Sequence, residues 1–294
     1  MTRHPYALGV ALVAGAALCW SFGGVVVRTL TAGAWEVVFW RSAFMAIAVG
    51  LFLAIWQRQR ALDGLRQAGG AMLLSGVCMA TSFITFILAL RETTVANVLV
   101  VLASAPLIAA VMAWLVLREP VRGHTWAVMV VVLAGVGLMV HDSLSTHGIA
   151  GSLLAVLCAG SFATNMVVVR ARPGIDMMPM VVLAGLMAAI VALPLAWPFP
   201  APLREVPWLA FLGIVQVGLG LVLFTIGLRY LPAAQASLVA LLETVLGPLW
   251  VWLVVGEAPS AAGLAGGTVV LGAVVMNTLL EGRVFRTKRP GRAA

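Results

Sequence analysis

Charge is scarce in this 294-residue chain: Asp, Glu, Lys and Arg make up 10% of it, against 63% hydrophobic residues and a mean hydropathy of +1.10. A soluble domain carries about 25% charged residues, so water is not the main solvent of this chain. Lysine is nearly absent. Lys288 is the only one, and it lies close to the C-terminus, which excludes a P-loop lysine or an intramembrane Schiff base. Long polar stretches are missing too. Every predicted loop has roughly a dozen residues or fewer, so no nucleotide-binding domain fits between apolar runs, and ATP energy would require another subunit. No HExxH occurs, and His4, His124, His141 and His147 all fall near the ends of apolar runs, the ordinary place for an interfacial histidine. No metal, cofactor or catalytic centre is expected, and the chain does not read as an enzyme. Cys19, Cys78 and Cys158 are odd in number and scattered through apolar runs; they read as small packing residues with no disulfide framework.

What is present is hydrocarbon-length apolar sequence. A helix of about 20 residues crosses the roughly 30 Å core of a bilayer. Such runs are predicted at 7–27, 35–56, 69–90, 95–117, 124–140, 148–169, 177–197, 206–228, 233–255 and 260–280. They are continuous rather than alternating, which favours helices over a β-barrel, because backbone groups in lipid must be satisfied within each segment. The first run is too long for a signal-peptide core and ends in no convincing A-x-A site, and Leu18 before Cys19 makes a poor lipoprotein box. It is read as a membrane helix.

The ten runs fall into two sets of five. Leu90-Arg91 returns as Leu228-Arg229, Ala96 as Ala234, Trp114-Leu115-Val116 as Trp252-Leu253-Val254 and Glu119 as Glu257, each 138 positions later. Five crossings per unit force the second copy to enter the bilayer upside down, the inverted-repeat plan of many secondary transporters. The fold class is therefore an all-α membrane protein of ten transmembrane helices. Its expected units are a first repeat at 1–142, a second at 143–282 and a basic tail at 283–294.

Cytoplasmic loops retain Lys and Arg. With the N-terminus inside, Arg3, Arg58, Arg60, Arg66, Arg118, Arg122, Arg170, Arg172, Arg229, Arg283, Arg286, Lys288, Arg289 and Arg292 face the cytoplasm, fourteen of eighteen. Arg28, Arg91 and Arg204 lie outside, and Arg41 lies within the second run. Both termini are predicted to be cytoplasmic, in the cell (inner) membrane. The net charge of +8 thus reports topology, not nucleic-acid binding, and the tail serves as a topology anchor or touches anionic lipid headgroups.

Polar residues deep in a run are costly and should face a cavity or another helix. Glu243 is the sharpest, an acid near the middle of the ninth run, where insertion scales put the cost at roughly 2.5–3.5 kcal/mol. It either binds a substrate amine or carries a coupling proton, or it acts as a structural clasp hydrogen-bonded to a neighbouring helix. At helical spacing Val239, Glu243 and Trp250 share a stripe. In the third run Ser75, Met79, Ser82 and Phe86 form another, with Thr85 beside it, matched in the eighth by Gln216, Gly220 and Phe224. The sixth run offers Ser161, Thr164 and Asn165, and the first offers Trp20, Ser21 and Gly24. Substrate contacts are expected from Trp20, Ser21, Met79, Ser82, Thr85, Ser161, Asn165, Gln216, Glu243 and Trp250; for each, the alternative is interhelical packing.

Pro106 and Pro248 lie within the fourth and ninth runs. Each removes an intrahelical hydrogen bond, and broken helices at matching places in two repeats point to a midplane site. The prolines are offset by one turn, since Pro106 corresponds to Thr244. Both are hinge candidates. Gly263 and Gly267 form a GxxxG for close helix contact or dimerisation. Arg41 and Glu36, near the outer end of the second run, are expected to snorkel to the interface and pair locally, with a gating role as the alternative.

The stretch Ala-Pro-Leu-Ile-Ala-Ala-Val-Met-Ala-Trp-Leu-Val-Leu-Arg-Glu ending at Glu119, with Leu253-Val254-Val255-Gly256-Glu257-Ala258-Pro259, resembles the EamA repeat of the drug/metabolite transporter superfamily. The resemblance covers nearly the whole chain. It implies ten transmembrane helices, cytoplasmic termini, alternating access and a central cavity lined largely by spans other than five and ten. Leu242-Glu243-Thr244-Val245-Leu246-Gly247-Pro248-Leu249-Trp250 looks most like the YddG-type amino-acid exporters. The chain departs from the family where many second repeats have Glu-Pro: here Glu243-Thr244 stands, with the proline displaced to Pro248.

The leading expectation is a secondary transporter of small metabolites, an exporter of amino acids including aromatic and apolar ones. The alternatives are an exporter of lipophilic drugs or another metabolite, and a non-transporting membrane scaffold. The expected partners are a small-molecule substrate and membrane lipid, with no nucleic acid; monomer and homodimer stay open.

Overall fold

The computed structural model describes residues 5–93, 95–118, 123–140, 149–172, 174–231 and 233–256, together with 265, 266, 268, 269, 272, 273 and 276. Every regular element among the described residues is helical, as a backbone surrounded by hydrocarbon requires. In chain order, α1 spans Pro5–Thr29, α2 Ala34–Trp56, α3 Arg58–Ala68 and α4 Gly70–Glu92. The fourth span is α5 (Val95–Leu102), α6 (Ala105–Met112) and a π-helical turn, Ala113–Leu117. Next come α7 (Gly123–Val140), α8 (Ile149–Arg170) and α9 (Pro179–Ala196). The eighth span is α10 (Val206–Phe211), a π-helical stretch at Leu212–Leu219 and α11 (Gly220–Gly227); the ninth is α12 (Ala233–Ala240) with α13 (Leu242–Val255). The described residues of the tenth are helical as well. Ten crossings result, at the places the apolar runs predict. Gly263 and most of the tenth span, Glu119, Glu257, His141, His147 and the basic tail lie outside the described residues.

The packing carries the repeat. Alpha-helix α4 of the first half lies against α8, the first helix of the second half; its counterpart, the eighth span, lies against α1. In the same way α13 and α12 pack on α1 while α6 and α5 pack on α8, and α2 pairs with its own counterpart α9. Each interface thus has a mirror partner with the halves exchanged, the signature of two inverted five-helix repeats around a pseudo-twofold axis.

The outward faces are apolar. Ile47, Leu51 and Ile55 of α2, Leu153, Val156 and Leu157 of α8, and Leu186, Ile190 and Leu193 of α9 are all exposed, which in water would be a large liability and in lipid is the required surface. Trp56 and Trp197, the most exposed tryptophans, stand at helix ends, where indoles mark the membrane interface.

Two features depart from the sequence reading. The connection between the second and third spans is itself a helix, α3, whose Ala61, Gly64 and Ala68 form a buried stripe while Arg58, Arg60, Asp63 and Arg66 are exposed. A Cβ on Gly64 would collide with the Asp176 carbonyl, so glycine there lets α3 lie directly on the loop before α9. The second feature is the matched interruption of the fourth and ninth spans. The first breaks at Ala103-Ser104 and the second at Leu241, positions related by the repeat offset even though the prolines are not. Ser104 precedes α6, so Pro106 falls in its first turn, where a missing N–H costs nothing. Pro248 sits inside α13, nearly two turns beyond the break. The repeats also end these spans alike: Arg118 (φ 55°) and Gly256 (φ 81°), again 138 apart, both close their helix in the left-handed conformation.

Candidate functional site

The two interruptions meet at a cavity in the middle of the protein. Leu102 and Ala105 flank the first break and Ala240, Leu241, Glu243 and Thr244 the second, and all of them line it. Around them stand Trp20 from α1, Arg41 from α2, Met79, Ser82, Phe83 and Phe86 from α4, Cys158 and Phe162 from α8, and Gln216 and Leu221 from the eighth span. The cavity amounts to about 110 Å³, below the roughly 300–1,000 Å³ typical of small-molecule sites. Among the described residues, none of α7, α9 or the tenth span contributes.

The walls are aromatic and aliphatic. Trp20 packs edge-on to Phe162 at 6.0 Å and tilted to Phe224 at 5.1 Å, and Phe162 meets Phe224 at 5.8 Å. The indole is held by close packing, because a Cβ on Gly220 would overlap Trp20 Nε1.

Two ionisable residues face this apolar chamber. Glu243 occupies the first turn of α13, immediately after the break, where the positive end of the helix favours an anion. It forms no hydrogen bond among the described residues, so the structural-clasp alternative finds no partner there. The second is Arg41, and here the structure corrects the sequence. Arg41 does not snorkel to the interface: it lies two turns into α2, 6% exposed, about 10 Å below the start of the helix at 1.5 Å per residue. Its Nε donates to Gln216 Oε1 at 3.3 Å, and its guanidinium carbon lies 5.7 Å from the Phe83 ring centre and 5.6 Å from that of Phe86. Glu36 does not pair with it. One Glu36 oxygen accepts from the Ala201 amide at 2.9 Å and the other has no partner among the described residues.

Gln216 is spent on both sides, donating from Nε2 to the Trp20 carbonyl at 3.2 Å while it accepts from Arg41. It sits in the π-helical stretch, a geometry that recurs at functional sites. There the backbone approaches α2 so closely that a Cβ on Gly213 would lie 2.5 Å from the Arg41 carbonyl.

Of the residues expected to contact substrate, Trp20, Met79, Ser82, Gln216 and Glu243 line the cavity. The others lie elsewhere. Ser75 donates to Asn165, joining α4 to α8, so the costly amide is satisfied by packing. Trp250 Nε1 donates to Ser21 Oγ at 2.8 Å and its ring stacks on Phe22 at 5.0 Å, a clasp between α13 and α1. Thr85 returns its hydroxyl proton to the Thr81 carbonyl at 2.7 Å, and Ser161 is half-buried on α8 away from the lining residues. Cys158, given no role from sequence, lines the cavity with its thiol 3.3 Å from Ser82 Oγ. The signal for Arg41 was present in the sequence, as a charge within an apolar run, but its position near the run's end made snorkelling equally consistent.

The loop between α1 and α2 is tied to the start of the eighth span. Glu205, 6% exposed, accepts from the Thr31 amide at 3.0 and 3.2 Å, the Thr31 hydroxyl at 2.5 Å and the Ala32 amide at 3.1 Å. Arg91 adds a bond to the Ala32 carbonyl at 2.7 Å.

Comparison with known proteins agrees with this architecture. The model of the EamA-like transporter family matches residues 7–141 and 149–279, one match for each half. The chain is 27% identical over 278 residues to the uncharacterized transporter YwfM of Bacillus subtilis, covering 89% of this chain and 91% of that one. It is 28% identical over 276 residues to the pseudopaline exporter CntI of Pseudomonas aeruginosa, covering 91% and 94%. A crystal structure of a protein 20% identical superposes with a TM-score of 0.77 over 94% of this chain and 98% of the other, which establishes a shared fold.

Proposed function

Because the chain belongs to the EamA-like transporter family, a family of multi-pass membrane transporters and not of enzymes, we propose that it is a secondary-active exporter of amino acids and similar small metabolites, working by alternating access. The observation that carries this reading is the cavity itself: a central chamber at paired helix interruptions, with aromatic and aliphatic walls and a few polar groups. Such walls suit an apolar or aromatic side chain, and sparse charges suit a zwitterionic head. Inverted repeats supply the motion, because two halves of one fold in opposite sense can exchange the conformations that open each face. The arginine distribution supports an inner membrane with both termini cytoplasmic. A relative that exports pseudopaline supports export of a small metabolite and keeps a non-proteinogenic substrate as the second reading. Protein reconstituted in liposomes is expected to exchange labelled amino acids, bulky apolar ones among them. Folded protein that exchanges none of a broad amino-acid panel removes this reading.

A further inference from the structure

Arg41 is an arginine with most of its hydrogen-bonding capacity unused. A guanidinium has five N–H donors in a planar fork. Among the described residues Arg41 spends one, from Nε to Gln216, and its two terminal amino groups have no partner although the side chain is almost wholly buried. The Gln216 bond and the Phe83 and Phe86 rings fix the plane of the group, leaving the fork on the cavity wall. Glu243 stands on the same wall without a hydrogen bond, and no ion pair joins the two among the described residues, though each lies in the other's field.

A buried guanidinium and a half-buried carboxyl group held apart in an apolar chamber are costly, and apolar residues of like volume would serve stability better. Their separation makes sense if something bridges them. We propose that Arg41 and Glu243 form a split zwitterion site: the terminal nitrogens of Arg41 take a substrate carboxylate in a two-bond fork, and Glu243 takes the substrate's ammonium group. This deepens the transport reading and rests on it. The chemistry of the fork is particular to arginine, since lysine offers a point charge instead of two parallel donors. The side chain of the substrate then lies among Trp20, Met79 and Phe162. Gln216 is a positioning residue, because it orients Arg41 and is itself held by the Trp20 carbonyl.

The test is competition for exchange in liposomes, with L-phenylalanine and L-leucine set against phenylalaninamide, which lacks the carboxylate, and N-acetylphenylalanine, which lacks the ammonium. Wild-type protein is expected to prefer the free amino acid by roughly ten- to a hundredfold over either, the range for a lost hydrogen bond to a charged group. In Arg41→Gln the preference over the amide should collapse while that over the acetyl compound persists, and Glu243→Gln should do the reverse; Arg41→Lys should recover only part. A purely structural role for Arg41 would slow every ligand alike and leave these ratios unchanged, which overturns the assignment. Wild-type protein that takes all four ligands equally also overturns it, and needs no variant to fold. Failure to exchange any member of the panel refutes the transport reading instead, and the split site with it.

Discussion

Replacing Glu205 with alanine removes the carboxylate that ties the start of the eighth span to the loop between α1 and α2. The bonds differ in what their loss costs. Thr31 is exposed, so water replaces the carboxylate at its amide and hydroxyl with little penalty. Ala32 is 2% exposed, and its amide would be left inside the protein without an acceptor. One charge-assisted bond to a buried donor corresponds to about 1.5–3 kcal/mol, hence a roughly ten- to 150-fold rise in the population with this corner open. Glu205→Gln keeps the shape and one acceptor oxygen and should fall between. Amide hydrogen exchange of the segment 29–33, followed by mass spectrometry, reads this directly, because exchange through local opening reports the opening free energy. Protection at Thr31 and Ala32 within about threefold of wild type, in a variant otherwise folded, would show that the corner is held by packing and that the carboxylate is incidental.

Gly213→Ala should force the π-helical stretch away from α2, because the new methyl meets backbone at Arg41 and Met45 and not a movable side-chain tip. Overpacking of this kind costs about 1–3 kcal/mol, so a thermal midpoint in detergent lowered by several degrees is expected, together with slower exchange; an unchanged midpoint contradicts the geometry. Trp250→Phe should remove the Ser21 bond while keeping the stack on Phe22, costing about 1 kcal/mol and lowering the midpoint without altering the KM for substrate; a changed KM would put Trp250 back in the binding site. Glu243→Gln is expected to abolish any stimulation of exchange by an imposed pH gradient while the protein still elutes as a folded species, and wild-type stimulation in that variant excludes proton coupling through this carboxyl.

Legibility from sequence followed the strength of the local physics. Ten crossings and their order were readable because an apolar run of hydrocarbon length has few other uses. The repeat was readable from a handful of pairs such as Trp114 and Trp252. The helix breaks were placed by proline, and that marker was displaced. Pro106 lies just after its break and Pro248 well past its own, since a first-turn proline is tolerated and a helix can be interrupted without one. Polar residues divided by partner, which sequence does not supply: Asn165 is answered by Ser75, Trp250 by Ser21, whereas Glu243 and the Arg41 fork meet open space. The π-helical stretch around Gln216 has no signature in periodicity over so few residues, and α3 was hidden because it is too short and too charged to resemble a span.

The pseudo-twofold relation fails at one pair of places. Between the second and third spans the chain forms α3, while the equivalent link in the other half is irregular over 197–202, carries Pro198, Pro200 and Pro202, and ends in a single 3-10 turn, Leu203–Glu205. In the proposed alternating-access cycle, one doorway is flanked by a helix seated on glycine, and the opposite one by a proline-bearing strap pinned by a carboxylate. A passive carrier cannot choose the direction of net flow, which its gradients decide. Unequal doors nevertheless give unequal dwell times on the two sides, so half-saturating concentrations measured from the cytoplasm and from outside should differ for the same compound in the same molecule.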